Sequence, residues 1–318
     1  MAIGITLGDP AGIGPEVVAA ALAATSDEVR RDVIVFGDRD VLARAARAVG
    51  VPLDDALAYE GMTIAGVVPG QPDERTGVAQ VAWLEDAIAA ARAGRVDALV
   101  TAPISKTWAK RAGLGFPGHT ELLAARLGAA DVAMTFVGPK LVVALATVHL
   151  PLAAVAAALD VPRIVAVGVL LARSLLDDLA RPAPVRIGVV GLNPHAGEGG
   201  LLGSEEGAII APAVAALAAR LGDAAIVSGP LIPDAAFRDA LEGRYHGLVA
   251  MYHDQALIPV KIVDFELAVN VTLGLPIVRT SPDHGTAYDL AGTGRARWAS
   301  TSAALTLAVS MRAARARR

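Results

Sequence analysis

LVVALATVHLPLAAVAAAL, residues Leu141–Leu159, carries no charge apart from His149 and is nearly long enough to cross a bilayer. Two readings compete for it. As a membrane span it lacks the flanking positive charge that would orient it. As a soluble unit, Val142–Val148 is a short β-branched run suited to a buried strand, His149-Leu150-Pro151 breaks the pattern, and an Ala-rich helix follows. The second reading is preferred because the same strand, turn and helix order recurs along the chain. Further strands are expected at Ile3–Leu7, Val33–Phe36, Ala98–Thr101, Val132–Val137, Val185–Val190, Ala225–Val227, Leu248–Tyr252 and Val269–Leu273. Helices are expected over Glu16–Ala24, Arg39–Ala48, Gly77–Ala93, Glu121–Leu127, Val161–Leu179, Glu205–Leu221, Asp234–Leu241 and Arg295–Ala314. Such alternation builds a mostly parallel α/β sheet.

The chain has 318 residues, more than one core usually fills, so two domains are expected. Apolar residues make up 54% and charged residues 19%, which excludes a disordered chain. Aromatics reach only 4%, so the core must be built from Ala, Val, Leu and Ile, and stacking platforms for single-stranded nucleic acid are scarce. A net charge of −4 offers no basic field to a polyphosphate backbone, and no nucleic-acid or membrane partner is expected. The absence of cysteine removes disulfides, iron–sulfur clusters, thiolate zinc sites and a thiol nucleophile together. Histidine and carboxylates remain as metal ligands. The opening MAIGITLGD lacks the positive and apolar regions of a secretory signal, so a cytoplasmic protein is expected. The basic end from Arg312 reads as a solvated helix C-terminus.

Three of the six histidines occupy equivalent places: His149 closes LVVALATVH, His253 closes GLVAMYH, and His195 lies just past VRIGVVGLN. In an open parallel sheet the carboxyl ends of the strands line one crevice, so residues far apart in the chain can converge there. Three imidazoles could hold a divalent metal and leave positions open for substrate, as catalytic sites do. The alternative is three separate histidines, each hydrogen-bonded at its own strand end; in a chain without thiolates, three together favour a site. GDPAGIGPE is a strand end, a Gly-rich loop and a helix start with Pro15 in the first turn, read equally as a tight connection or a ligand contact. Neither it nor Gly197–Gly203 has the spacing of a Walker A loop or a dinucleotide fingerprint, so a nicotinamide cofactor would need another kind of site. FPGHTE puts His119 and Thr120 at a helix N-terminus, where an anion is attracted, unless Thr120 is only a cap. Lys261, Asn270 and Arg279 recur nine residues apart around VNVTLGLP. The polar Asn270 there is costly unless paired, and cations beside an anion site would anchor phosphate or carboxylate.

With these residues in view, the chain resembles the 4-hydroxythreonine-4-phosphate dehydrogenase family of vitamin B6 biosynthesis. The resemblance covers nearly the whole chain. It rests on GDPAGIGPE (Gly8–Glu16), TAPISK (Thr101–Lys106), GHTELLA (Gly118–Ala124), HLPL (His149–Leu152), GLNPHAGEGG (Gly191–Gly200), GPLIPD (Gly229–Asp234), YHDQ (Tyr252–Gln255) and VNVTLGLPIVRTSPDHGTAYDLAG (Val269–Gly292).

The resemblance implies the fold of the isocitrate and isopropylmalate dehydrogenases: two α/β/α domains with an interdomain cleft. Residues 1–135 with 275–318 would form the first domain, with the cofactor loop. Residues 136–274 would form the second, with the metal site and dimer interface. His149, His195 and His253 would bind one divalent zinc, magnesium or cobalt ion in a site shared between the subunits of a homodimer, one histidine coming from the partner chain. His119, Thr120, Lys261, Asn270 and Arg279 would bind substrate. Asp283, His284, Gly285 and Thr286 would contact NAD or NADP, and Asp234 or Lys261 would serve as base. The implied reaction oxidises 4-phosphohydroxy-L-threonine, a small phosphorylated amino acid, and decarboxylates it to 3-amino-2-oxopropyl phosphate. Alternatives are a paralogous dehydrogenase of phosphothreonate or phosphoerythronate, an acyl-phosphate transferase of the same fold, and a metal-dependent hydrolase or non-catalytic metal binder.

Overall fold

Each apolar run expected to be a strand is one, in a computed structural model that describes residues 1–317 and divides into two units. The first unit comprises Met1–Ala130 and Leu275–Arg312. Its five strands lie in the order Ala58–Glu60, Val33–Phe36, Ala2–Thr6, Val96–Thr101 and Val278–Ser281, all parallel. Ile3, Ile5, Val35, Phe36, Leu99 and Val100 are buried, as strands covered by helices on both faces require. Beyond the first strand Gly8 adopts φ +66°, and a Cβ there would lie 2.2 Å from the Pro103 carbonyl. The GDPAGIGPE loop can therefore lie directly on the TAPISK segment only because position 8 has no side chain. Two strands here escape the sequence pattern. Ala58–Glu60 is a three-residue edge, and Val278–Ser281 carries Arg279 and Thr280 where a buried strand should be apolar.

The second unit is built on Asp131–Gly274. Its strands run Val269–Leu273, Ala133–Val137, Val142–Leu145, Gly247–Ala250, Val185–Val190 and Ala225–Leu231. The first two pairings are antiparallel and the other three parallel, so this sheet is mixed. Phe136, Leu141, Val143, Leu145, Val190 and Leu248 form its core with Phe237. The Leu141–Leu159 stretch is strand Val142–Leu145, a turn, and helix Leu152–Ala158. Regular pairing ends earlier than Val148, but Ala146 N still donates to Ala250 O at 2.8 Å.

Among the described residues, Glu206–Ala224 has the length and apolarity of a membrane crossing. It is a π-helical turn Glu206–Ile210, an α-helix Ala211–Leu221 and a short 3-10 turn. It packs on helix Val161–Arg173, where Leu217 fills the space a side chain on Gly168 would take. Helix His253–Val263 was not expected from the sequence, because Pro259 sits inside it. Proline removes one backbone donor and usually ends a helix, but here the helix runs through it.

Candidate active site

His149 and His253 come together at adjacent strand ends in the second unit. Thr147 donates through both N and Oγ1 to Met251 O, at 3.2 and 2.7 Å, and so ties the two segments. The ring centroids lie 5.6 Å apart with planes inclined at 39°. At that spacing two imidazoles can reach one ion at about 2.0–2.1 Å each. His253 opens helix His253–Val263, and its Nδ1 meets Asp254 Oδ1 at 2.7 Å. That contact leaves Nε2 as the nitrogen for a ligand and orients the ring, as carboxylates do behind metal-binding histidines. His149 is held at φ 48°, a left-handed conformation that a non-glycine residue adopts at a cost and that clusters at functional sites.

His195 is also left-handed, at φ 53°. Its side chain is 67% exposed, with Nδ1 3.2 Å from Glu198 Oε2. Within one chain it does not complete the pair: among the described residues no group of three His, Asp or Glu side chains is placed to hold a metal. The roots of its loop and of the His253 turn are nonetheless joined. Gln255 accepts from Met251 N and donates to Gly191 O, both at 2.7 Å.

Asp234 is exposed in the first turn of helix Pro233–Leu241. Lys261 lies on the same helix as His253, with Nζ 5.4 Å from the Phe265 ring centroid. Asn270 is on strand Val269–Leu273, and its Oδ1 is shielded from solvent with no hydrogen-bond partner. A buried acceptor in that state calls for a donor from a ligand or water.

The first unit holds a second cluster. Arg279 is only 3% exposed and donates to Thr101 Oγ1 from Nε at 3.2 Å and from Nη2 at 2.8 Å. Burial pulls its pKa down to about 10. His119 is the first residue of helix His119–Leu127, and its Nε2 is shielded without a hydrogen-bond partner. Burial, then the charges of Arg279 and Lys106, hold its pKa well below the ordinary histidine value. The N-cap is Gly118, with no side-chain cap bond, so Thr120 does not act as the cap. A buried guanidinium, an ammonium and a neutral imidazole at a helix N-terminus are the groups that would attract an anion there. The proximity of Lys106 to His119 was not foreseen from the sequence; its signal was the TAPISK motif.

His119 gives a testable pH dependence. The folded chain binds a proton at His119 less readily than the unfolded chain does, so the unfolded state gains protons first on acidification. Stability is therefore expected to fall as pH drops through about 6.5, and His119→Asn should flatten that slope. Denaturation midpoints at about pH 5 and about pH 8 for both proteins check this; equal pH slopes would contradict it.

Asp283–Thr286 is bound to the GDPAGIGPE loop. Ile13 N donates to Thr286 O at 2.9 Å, Tyr288 donates through its hydroxyl to Asp9 Oδ2 at 2.6 Å, and Gly292 N donates to Glu16. Asp283 N is fixed by Ser300 Oγ at 3.2 Å. Asp9 is fully buried, and burial raises its pKa despite the Tyr288 bond. GDPAGIGPE is thus a buttress for the later loop. No local pattern links Asp9 and Tyr288, 279 residues apart.

A family model described as "Pyridoxal phosphate biosynthetic protein PdxA" matches residues 29–308. A 4-hydroxythreonine-4-phosphate dehydrogenase of Desulfosudis oleivorans is 45% identical, covering 96% of this chain and 95% of its own. The crystal structure of a 4-hydroxythreonine-4-phosphate dehydrogenase from Klebsiella pneumoniae matches with TM-score 0.86 and 39% identity, over 98% of this chain and 97% of that one. A terephthalate 1,2-cis-dihydrodiol dehydrogenase from Burkholderia xenovorans LB400 matches with TM-score 0.69 and 30% identity, over 98% of each chain.

Proposed function

The chain belongs to the family of the pyridoxal phosphate biosynthetic protein PdxA, and from that premise we propose that it oxidises 4-phosphohydroxy-L-threonine with NAD(P)+ and a divalent metal. The observation that carries this reading is the His149–His253 pair, two imidazoles at ligand spacing with no third metal-ligating side chain grouped with them among the described residues. His195 of a second copy would be the third. Apolar side chains flank each of the three histidines on the surface: Leu150 and Leu152 beside His149, Leu201 at 83% exposure past His195, and Ile258 and Ile262 on the helix of His253. Exposed apolar surface of this kind marks a protein interface, and a homodimer buries it symmetrically.

Three imidazoles and no thiolate suit a zinc or cobalt ion with positions open to substrate better than magnesium, which prefers oxygen donors. When bound, such an ion polarises a coordinated hydroxyl, an effect that takes the pKa of water from about 15.7 to about 7. The remaining work belongs to the chain. Arg279, Lys106 and the uncapped helix start at His119 and Thr120 hold the phosphate. Asn270 Oδ1 accepts a donor from the substrate. Lys261 or Asp234 receives the alcohol proton. Asp283, His284, Gly285 and Thr286 would hold NAD(P)+, which would supply the hydride acceptor. The C–C bond to the carboxylate then breaks, CO2 leaves, the electron pair of that bond is taken up by the new carbonyl as an enolate, and a proton delivered to the carbon that lost CO2 gives 3-amino-2-oxopropyl phosphate.

The 30% identical terephthalate diol dehydrogenase favours keeping a second reading, a dehydrogenase of another hydroxylated acid. The buried Arg279 beside His119 restricts that reading to anionic substrates such as phosphothreonate or phosphoerythronate. Absorbance at 340 nm distinguishes them. With magnesium, cobalt or zinc, 4-phosphohydroxy-L-threonine should reduce NAD+ or NADP+ faster than phosphothreonate does. No reduction with any metal and either cofactor would overturn the dehydrogenase assignment.

A further inference from the structure

We infer that Glu206 is the positioning residue that holds the His195 loop in its left-handed conformation and so presents His195 to the metal. This rests on the metal-binding role proposed above for His195. From His195 to Gly199 every residue has positive φ: 53°, 52°, 76°, 43° and 68°. Two of the five are glycines, but His195, Ala196 and Glu198 are L residues, which disfavour this region. The segment's backbone bonds are turn bonds, including Ala196 N to Asn193 O and Leu202 N to Gly197 O, both at 3.1 Å, so much of the support for its left-handed conformation comes from side chains outside it.

Glu206, 5% exposed, meets the loop from the start of the π-helical turn Glu206–Ile210. Its Oε1 accepts Leu192 N at 2.8 Å and Asn193 N at 2.7 Å, and its Oε2 accepts Asn193 Nδ2 at 3.0 Å. The same amide donates to Glu205 Oε2 at 2.8 Å. The middle of the loop rests on the same carboxylate: a Cβ on Gly197 would lie 2.6 Å from Glu206 Oε2. One buried side chain therefore fixes the two residues before Pro194 and the glycine two residues after His195. Burial opposes the carboxylate charge, but the N–H bonds from Asn193 and Leu192 outweigh it and keep the group below its usual pKa. Three converging donors need an ionised acceptor, because a glutamine in its place would turn an NH2 group toward one of them.

The test uses full-length Glu206→Gln and Glu206→Asp proteins with two readouts besides turnover: backbone hydrogen exchange across residues 191–203 without metal, and Co2+ affinity from the visible spectrum. In Glu206→Gln the loop amides should exchange about tenfold faster or more. Co2+ should bind about 10–100-fold more weakly, while kcat at saturating Co2+ stays within about threefold of wild type. Glu206→Asp should recover part of both losses. Unchanged loop exchange would overturn the inference, as would faster exchange with unchanged Co2+ affinity. Wild-type protein that binds no Co2+ would overturn the metal role itself and the inference with it. If Glu206→Gln does not fold, Asn193→Ala removes only the amide bonds, and the two readouts should move together by a smaller factor; an independent movement would count against the inference.

Discussion

His195→Ala is expected to lower NAD(P)+ reduction by on the order of 10³-fold or more while leaving the fold intact. The asymmetry follows from where the side chain lies. Its side chain is 67% exposed and its Nδ1 meets a Glu198 carboxylate whose side chain is 55% exposed, so its removal deletes little packed surface. If the ring is a metal ligand, the loss of activity is nearly complete, because two imidazoles hold the ion weakly and the substrate's hydroxyl and amino group lose the centre that orients them. The checking measurement is paired: steady-state rates at 340 nm, and thermal denaturation followed by circular dichroism. A variant retaining more than about a tenth of wild-type rate would contradict a ligand role.

Arg279→Met should raise KM for the phosphorylated substrate on the order of 10²-fold, with little loss of stability. Arg279 is almost fully buried, and its pKa is drawn down to about 10, so the folded chain carries a charge in a poorly solvated place. Replacing such a charge by an apolar side chain of similar volume is often neutral or stabilising, since the desolvation cost disappears with it. If Arg279 holds the substrate phosphate, the phosphate loses a buried cation. Arg279→Lys should not rescue binding, because an ammonium cannot reproduce the planar fork that reaches Thr101 from both Nε and Nη2. KM, kcat and Tm measured on both variants decide it. A Met variant with wild-type KM would remove Arg279 from the anion pocket.

The strands were legible because their residues are β-branched, apolar and bounded by glycine and proline; Val33–Phe36, Val185–Val190 and Val269–Leu273 appear with the expected limits. Val278–Ser281 was hidden for the reason it matters. Its polar members, Arg279 and Thr280, are buried to make tertiary hydrogen bonds to Thr101 and Ala304, so they erase the apolar pattern that marks a strand. Helix His253–Val263 was hidden by Pro259. Strand-end placement of the histidines was readable, and the structure brings His149 and His253 together. The roles of Lys106, Asp9, Tyr288 and Glu206 were not. Each depends on a partner distant in sequence, such as Lys106 beside His119 or Tyr288 on Asp9, and no local periodicity encodes a pairing of that kind.

Subunit complementation tests the shared metal site most directly. His195→Ala and His253→Ala homodimers should each be inactive. If His195 serves the partner's His149 and His253, unfolding and refolding an equimolar mixture restores one intact site in every mixed dimer, and activity should recover to about a quarter of wild type. If the three histidines act within a single chain, both sites of every mixed dimer contain a lesion and no activity returns; that result would contradict the shared site.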